Sequence, residues 1–216
     1  MRRSATVGAI LAGGRSRRMG APKALAELAG RPLVSRVAAT VGSAGLEPVV
    51  VAKPDSPLPP LDCRVLSEPS EPSHPLTGLL AALGASSGRG VVVIACDMPL
   101  VPTRLLGWLA QLEEGIAVCE VGGRLEPLLG RYSPTASAAL REALEAGMAM
   151  RDAVVGLDPH IVTEDRVARF GDPARIFFNV NSPADLAEAE RLLNRTGPPR
   201  GSPRARRDGS SEPGRR

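Results

Sequence analysis

Residues 9–23 place two adjacent glycines, three arginines and a lysine in one short stretch, AILAGGRSRRMGAPK. An apolar run at positions 5–11 leads into it, so the stretch is predicted to be a loop between a buried strand and a helix. Paired glycines let the backbone turn tightly and let a ligand approach its N–H groups. Clustered like charges repel one another until an anion neutralises them. The stretch therefore predicts a site for a triphosphate, and the alternative is an arginine-rich surface turn.

The spacing differs from that of the common phosphate-binding loops. Neither the Walker pattern G-x-x-x-x-G-K-[ST] nor the dinucleotide pattern G-x-G-x-x-G occurs in the chain. The longer pattern L-A-G-G-x-S-x-R-M-G-x-P-K stands here instead.

A carboxylate follows the most continuous apolar run of the chain, residues 91–96, as Asp97. Such a run is typical of a central parallel strand that is buried on both faces. Ligands of open α/β sheets bind at the carboxyl ends of the strands, so Asp97 is expected beside the first loop. Mg²⁺ takes one or two protein carboxylates together with phosphate oxygens. Asp97 is therefore a candidate magnesium ligand, and the alternative is a helix cap or turn aspartate.

Two asparagines, Asn179 and Asn181, precede the Ser182-Pro183 pair that is predicted to begin the last helix. Alternate residues of an extended chain face the same way, so both amides are expected on one side. Each amide can donate to a phosphate and accept from water. A purely structural asparagine ladder at the helix start is the alternative.

Strand and helix patterns alternate along the chain. The predicted strands are 5–11, 49–51, 64–66, 91–96, 116–121, 125–132, 161–163 and 167–170. The predicted helices are 32–42, 76–83, 103–112, 135–146, 151–155 and a last one from 182. This alternation predicts a single α/β domain over residues 1–195, with a mostly parallel sheet flanked by helices. Residues 196–216 are mainly Gly, Pro, Ser and Arg, and they are predicted to be a disordered tail.

Composition narrows the class of protein. The formal net charge is +4, but the segment from Arg195 onward holds seven arginines against two acidic residues. The rest is close to neutral, so no nucleic-acid surface is predicted. Three cysteines without C-x-x-C spacing indicate a reducing compartment, and Cys96 is expected to be a small core residue. No apolar run reaches the length of a membrane span, so a cytoplasmic protein is predicted.

The glycine-rich pattern resembles the signature of nucleotidyltransferases that attach a nucleoside monophosphate to a phosphorylated acceptor. Its Leu-Ala-Gly-Gly form is most similar to that of the molybdenum cofactor guanylyltransferases, the MobA family. Asp97 in an Asp-x-Pro context, a Pro-Leu-Thr-Gly segment ending at Gly78, and the Asn-Val-Asn-Ser-Pro segment match this family in order and spacing. The resemblance extends from about residue 7 to about residue 193.

The resemblance implies a Rossmann-like nucleotidyltransferase fold and transfer of GMP from GTP to the phosphate of molybdopterin-bound molybdenum. It implies that Arg18 and Lys23 neutralise phosphates, and that Asp97 completes the catalytic set by holding Mg²⁺. The implied nucleotide-binding residues are Leu11, Ala12, Gly13, Gly14, Lys23, Glu68, Gly78 and Asp97. The implied acceptor-binding residues, facing phosphate or pterin, are Asn179, Asn181 and Arg151. The expected partners are GTP, molybdopterin, molybdenum insertion proteins and molybdoenzyme chaperones, without nucleic acid or membrane.

Three positions depart from the family pattern near the nucleotide. Glu68 stands where Asp is usual, His74 replaces a glycine, and Ala52 falls where an asparagine is usual, so that contact is predicted to be missing. Gly13, in contrast, has the form expected for guanine, because a purine can lie close against a backbone that lacks a Cβ.

Three other functions remain open from the residues. They are a cytidylyltransferase acting on the same acceptor, a sugar-phosphate nucleotidyltransferase, and a non-catalytic nucleotide or cofactor binder. Cytidylyl relatives tend to have Ala at the position of Gly13. A non-catalytic binder would have no reason to combine Asp97 with Lys23.

Overall fold

The computed structural model describes residues 6–13 and 22–195. The strands are β1 Thr6–Leu11, β2 Glu27–Leu28, β3 Arg31–Pro32, β4 Glu47–Ala52, β5 Arg64–Ser67, β6 Gly90–Ala95, β7 Ile116–Val121, β8 Arg124–Tyr132 and β9 His160–Val162. The α-helices are α1 Leu33–Ser43, α2 Pro75–Ala85, α3 Thr103–Leu109, α4 Ser137–Glu145, α5 Met150–Val155, α6 Glu164–Ala168, α7 Pro173–Ile176 and α8 Pro183–Asn194. Short 3₁₀ helices occupy Lys23–Leu25 and Pro134–Ala136.

Seven strands form one sheet in the order β5-β4-β1-β6-β8-β7-β9. All neighbours pair in parallel except at β8, which is antiparallel to both β6 and β7. The predicted mostly parallel α/β sheet is thereby confirmed. Because β8 runs the opposite way, its early residues reach the edge of the sheet where its neighbours end.

Helices cover both faces of the sheet, which explains why its central strands are apolar at every position. On β6, Val92 and Ile94 pack in one core cluster with α1, α3, α6 and α7. Val91 and Val93 point the other way, into a second cluster with α2, α4 and α5. The predicted core role of Cys96 is confirmed, since it is buried in the first cluster. No helix of residues 6–13 and 22–195 is long and apolar enough to cross a membrane.

The strand predicted at 167–170 is wrong. These residues belong instead to the end of α6 and the turn after it. Two acidic residues, Glu164 and Asp165, occupy the first turn, where the helix dipole favours negative charge. Phe170 packs near Trp108, with ring centroids 5.5 Å apart. Val167 is buried and Phe170 contacts Trp108, so both side chains are packed by a short helix and the turn after it. In the described part of the chain, residues 167–170 pair with no strand.

The predicted tail, 196–216, lies outside the described residues. The same is true of Gly14 and Arg18 in the first loop.

Close packing of α1 on β1 depends on Gly8. A Cβ at this position would lie 2.2 Å from Val41 Cγ1 and 3.3 Å from Leu46 Cβ. We expect Gly8→Ala to destabilise the fold by about 1–3 kcal/mol, since overpacking a core forces its neighbours to shift. Thermal unfolding followed by circular dichroism measures the loss.

The matched control is Gly84→Ala on the exposed side of α2, where a Cβ meets nothing within 4 Å. It should stabilise the protein by roughly 0.5–1 kcal/mol through helix propensity. The double variant Gly8→Ala/Val41→Ala should lose less free energy of unfolding than the two single variants lose in total, because Val41→Ala removes the clash. A Gly8→Ala variant as stable as the wild type would contradict this packing.

Candidate active site

One cavity of about 260 Å³ lies where parallel strands end. In the order of the strands across the sheet, Glu68 follows β5, Lys53 follows β4, Gly13 lies just beyond β1 and Asp97 just beyond β6. The cavity is lined by Leu11, Gly13, Lys23, Lys53, Glu68, Ser73, His74, Pro75, Ala95, Cys96, Asp97 and Leu128. The edge predicted to bind a ligand is therefore the edge that carries the cavity.

At one end of the cavity, Lys23 joins two segments that are distant in the sequence. Its ammonium lies 2.7 Å from Asp97 Oδ2 and also donates to Asn181 Oδ1. The side chains of Lys23 and Asp97 are only 19% and 18% exposed. Their charges are thus partly shielded from water, which strengthens their attraction relative to an exposed pair. Two oxygens from different segments converge on one cation.

Backbone contacts hold Asn181 in this position. The N–H of the buried Val180 donates to Asp97 O at 2.8 Å. Ser182 caps α8 by accepting from Asp185 N, and Asp185 in turn accepts from Asn181 N at 2.9 Å. This hydrogen bond from Asn181 lowers the pKa of Asp185. The reciprocal cap therefore fixes the residue that presents its amide to Lys23.

Glu68 forms the opposite wall of the cavity, and it is only 8% exposed. Its carboxylate lies between two glycines: a Cβ would be 2.0 Å from Oε1 at Gly13 and 2.7 Å from Oε2 at Gly78. Burial raises the pKa of Glu68, and the nearby Lys53 ammonium opposes that shift. The room predicted at Gly13 for a purine is therefore taken by the carboxylate of Glu68. Gly13 and Gly78 are needed for this acidic side chain to enter the site.

The loop after Glu68 closes this wall. Lys53 donates to Ser70 O, and Thr77 Oγ1 donates to Pro72 O at 3.1 Å. His74, which replaces the usual glycine, is the N-cap of α2, and its Nδ1 accepts from Leu76 N at 3.2 Å. Histidine at this position thus begins the helix and lines the cavity as well.

A bulge in β8 brings Glu126 and Leu128 to the same region. Val118 and Cys119 are adjacent on β7, but their partners Gly130 and Glu126 are separated by three residues. Burial raises the pKa of Glu126, the hydrogen bond from Leu128 N lowers it, and the charge of Asp97 raises it further. Bulges are frequent beside active sites, where they redirect a side chain.

Five of the residues implied by the resemblance line the cavity together: Leu11, Gly13, Lys23, Glu68 and Asp97. Ala12 is buried in the core cluster that contains Ile10, and Gly78 packs against Glu68. Gly14 and Arg18 lie outside the described residues.

The predicted acceptor residues are less closely grouped. Only Asn181 contacts Lys23, whereas Asn179 donates its amide to Phe177 O at 3.3 Å. Arg151 donates Nε to Leu125 O at 3.2 Å, next to Glu126, whose pKa its charge lowers. The two asparagines therefore do not make equivalent contacts, because the buried Val180 between them is held by Asp97.

Sequence reasoning missed Lys53, which lines the cavity beside Glu68. The sequence did contain a signal for Lys53. Lys23 and Lys53 are the only two lysines among the 27 lysines and arginines of the chain, and Lys23 was already a candidate. Ala52 stands where a contact was predicted to be missing. Its side chain is buried, and its carbonyl accepts a hydrogen bond from Glu68 N at 2.9 Å.

The model of the MobA-like NTP transferase domain matches residues 8–158, which is more than half of the chain. The protein belongs to this family. The match includes every strand end that lines the cavity, so the family assignment and the geometry concern the same site.

Full-length relatives support the family assignment. The chain is 39% identical over 196 residues to a molybdenum cofactor guanylyltransferase of Cereibacter sphaeroides, covering 87% of this chain and 97% of the relative. It is 34% identical over 207 residues to a molybdenum cofactor guanylyltransferase of Rhizobium leguminosarum bv. trifolii, covering 88% and 94%. This MobA-like chain is therefore a nucleotidyltransferase.

Solved structures share its fold. Molybdopterin-guanine dinucleotide biosynthesis protein A from Archaeoglobus fulgidus superposes with a TM-score of 0.72 at 24% identity, covering 87% of this chain and 98% of that one. The 2-C-methyl-D-erythritol 4-phosphate cytidylyltransferase of Thermus thermophilus gives 0.65 at 22% identity, covering 87% and 98%. At these identities the likeness shows the fold, which MobA-like chains share with a cytidylyltransferase.

The packing of Glu68 against Gly13 generates a direct test. We expect Gly13→Ala to leave the melting temperature nearly unchanged, because only the end of a flexible side chain has to move. The displaced carboxylate should weaken GTP binding about 10- to 100-fold, since a hydrogen bond to a charged group is worth roughly 1.5–3 kcal/mol. Isothermal titration with GTP measures the change.

Shortening the acid supplies the control. In the double variant Gly13→Ala/Glu68→Asp the missing methylene makes room for the new methyl group, so part of the affinity should return. Gly30→Ala would not serve as a control because Gly30 has a positive φ of 70°. Gly42→Ala on α1, where a Cβ meets nothing within 4 Å, should leave GTP affinity unchanged. Wild-type affinity in Gly13→Ala would show that Glu68 takes no part in binding.

Proposed function

We propose that this chain transfers GMP from GTP to the phosphate of molybdopterin-bound molybdenum, forming the guanine dinucleotide cofactor and pyrophosphate. The observation that carries the proposal is the convergence of Lys23, Asp97 and Asn181 at one end of a cavity whose other wall is Glu68. The names of the full-length relatives support the same reaction.

The chemistry requires little covalent assistance from the protein. An oxygen of the acceptor phosphate forms a bond to the α-phosphorus of GTP, and the bond from that phosphorus to the bridging oxygen of pyrophosphate breaks. No side chain needs to carry an intermediate. Catalysis then depends on holding the two phosphates in line and on neutralising the charge that develops between them.

Lys23 is the described cation best placed for this neutralisation. Its ammonium has three N–H donors, and it donates to Asp97 and to Asn181. A bound triphosphate would bring more negative charge than one carboxylate, so Lys23 would turn its donors toward the phosphate oxygens. Arg18 adds a second cation from the first loop, according to the family resemblance.

Asp97 and Asn181 fit the needs of Mg²⁺. Both supply oxygen, which is the donor atom Mg²⁺ prefers, and both oxygens already point at one cation, the Lys23 ammonium. Bound Mg²⁺ would neutralise the nucleotide phosphates and polarise the α-phosphorus. Asp97 and Asn181 would hold it, and the backbone hydrogen bond between Val180 and Asp97 keeps the two residues in register.

The nucleotide is proposed to lie along the edge of the sheet. Leu11, Ala12, Gly13 and Gly14 would support the base and ribose, with Glu68 and Gly78 at the base end. The acceptor would enter on the side of Asn181, Asn179 and Arg151. Molybdenum insertion proteins and molybdoenzyme chaperones are the proposed protein partners, in the cytoplasm.

Cytidylyl transfer is the nearest rival, because the fold is shared with a cytidylyltransferase. The proposed contact of the base with the carboxylate of Glu68 favours one of the two bases. Guanine presents two adjacent N–H donors, N1–H and the 2-amino group, to an acceptor that can accept but not donate. Cytosine presents only its 4-amino group, beside the unprotonated N3, so a carboxylate would face a lone pair. The buried acid therefore favours GTP.

Release of pyrophosphate tests the reaction. We expect release with GTP, Mg²⁺ and molybdopterin-bound molybdenum together, and little when any one is omitted or when CTP or ATP replaces GTP. Mass spectrometry of the product identifies the guanine dinucleotide. Preference for CTP would overturn the base assignment, and release that does not need the acceptor would overturn the transfer reaction.

Asp97→Asn tests the proposed metal ligand. The substitution keeps the shape of the side chain but removes its charge, so turnover should fall about 10²- to 10³-fold while the melting transition stays cooperative. The control is Asp62→Asn, which removes an exposed carboxylate outside the cavity and should leave turnover unchanged. Wild-type turnover in Asp97→Asn would contradict this role.

A further inference from the structure

The two lysines of the chain lie in the same cavity, although arginine supplies every other cation among its 27 lysines and arginines. The two residue types differ in chemistry. Lysine has a compact ammonium with three donors that can turn, whereas arginine has a broad, planar fork. Lys23 belongs to the proposed phosphate end. Lys53 has no part in the reaction described above, yet it is half-buried beside Glu68.

The order of the strands separates the two lysines within the cavity. Lys53 follows β4, between Glu68 after β5 and Gly13 after β1, whereas Asp97 lies beyond β6 on the other side of β1. The stem of Lys53 is also close to Gly13, because its Cγ lies 3.7 Å from where a Cβ would be. Each end of the cavity thus has one lysine and one carboxylate: Lys23 with Asp97, and Lys53 with Glu68.

The ammonium of Lys53 retains donors for a ligand. It donates to Ser70 O, and that carbonyl is its one hydrogen-bond acceptor among residues 6–13 and 22–195. An ammonium has three N–H groups, so two remain. The same wall of the cavity carries the carboxylate of Glu68, on which the charge of Lys53 acts, and this carboxylate is held between two glycines as an acceptor. The wall therefore offers a donor beside an acceptor.

This pattern matches a base edge with a carbonyl oxygen beside an N–H donor, which 6-oxopurines and uracil have and which adenine and cytosine lack. Guanine and hypoxanthine present a carbonyl oxygen, O6, beside the N1–H donor. Adenine presents the reverse, an amino group beside the unprotonated N1, and cytosine has an amino group beside the unprotonated N3. With these two bases the carboxylate meets a lone pair or the ammonium meets an amino group, and charged groups are left unpaired.

We propose that Lys53 is a base-reading residue, which donates to O6 of a 6-oxopurine while Glu68 accepts from N1–H. This inference rests on the proposed function and adds to it the residue that distinguishes guanine from adenine and cytosine. The hydrogen bond from the Lys53 ammonium to Ser70 O in the loop after β5 holds the ammonium in position, so that its other donors are oriented before the base binds.

Equilibrium binding of GTP, ITP, ATP and CTP, with Mg²⁺ and without acceptor, tests the proposal. The wild type should bind GTP and ITP more tightly than ATP and CTP. In Lys53→Met we expect the affinity for GTP and ITP to fall about 10- to 100-fold, the effect of one hydrogen bond to a charged group. Affinity for ATP and CTP should change by about twofold or less. Lys53→Arg should restore part of the loss for GTP.

Two controls separate this effect from a general loss of positive charge. Lys23→Met should weaken all four nucleotides by a similar factor, because phosphates are common to them. Arg104→Met, which removes an exposed cation of α3 outside the cavity, should change none. Melting temperatures confirm that each variant is folded, and Lys53→Ala, which also lacks the ammonium, replaces Lys53→Met in the comparison if the latter does not fold.

An equal loss for all four nucleotides in the Lys53 variant would overturn the proposal, as it would place Lys53 against phosphate or in loop support alone. Unchanged binding would overturn it as well. The readout needs no acceptor and no turnover. A chain that binds GTP selectively through Lys53 but releases no pyrophosphate with molybdopterin-bound molybdenum would therefore contradict the proposed reaction and leave this inference standing.

Discussion

The site depends on the ammonium of Lys23, which draws together side chains from segments 74 and 158 residues away in the sequence. Asp97 lies beyond the central strand and Asn181 lies at the start of the last helix, so this one cation connects the middle of the sheet to the end of the described chain. Val180 secures the connection through Asp97 O, independently of any side-chain charge. The carboxylate oxygen of Asp97 and the amide oxygen of Asn181 are thereby held close together at one end of the cavity.

A second constraint is the burial of Glu68. A carboxylate that is 8% exposed is costly to ionise, and burial raises its pKa accordingly. Two glycines leave room for it and one lysine offsets its charge. The cavity is therefore polarised at both ends, with a lysine and a carboxylate at each. Such an arrangement suits a ligand that has an anionic part and a part with fixed hydrogen-bond donors, as a guanine nucleotide does.

Much of this architecture could be predicted from the sequence, because local signals and burial agreed. The apolar runs gave the central strands, and Ser182-Pro183 marked the start of α8. Asp97 was located because a polar residue after a fully buried strand has to emerge at the sheet edge. Other features depend on contacts between distant segments. The space at Gly13 is filled by Glu68, the bulge in β8 follows from its pairing with β7, and Lys53 lines the cavity because β4 lies between β5 and β1. The segment 167–170 resembled a strand because it is short and mostly apolar. Such a short pattern does not show whether a partner strand lies beside it.

A crystal structure of the protein with GTP and Mn²⁺, without the acceptor, would test both the metal site and the phosphate contacts of Lys23, since the anomalous signal of Mn²⁺ locates the metal. We expect one metal ion coordinated by Asp97 Oδ2 and Asn181 Oδ1, with Lys23 Nζ moved from Asp97 to the phosphates. A metal ion bound elsewhere, with the hydrogen bond between Lys23 and Asp97 intact and the triphosphate outside the cavity, would contradict it.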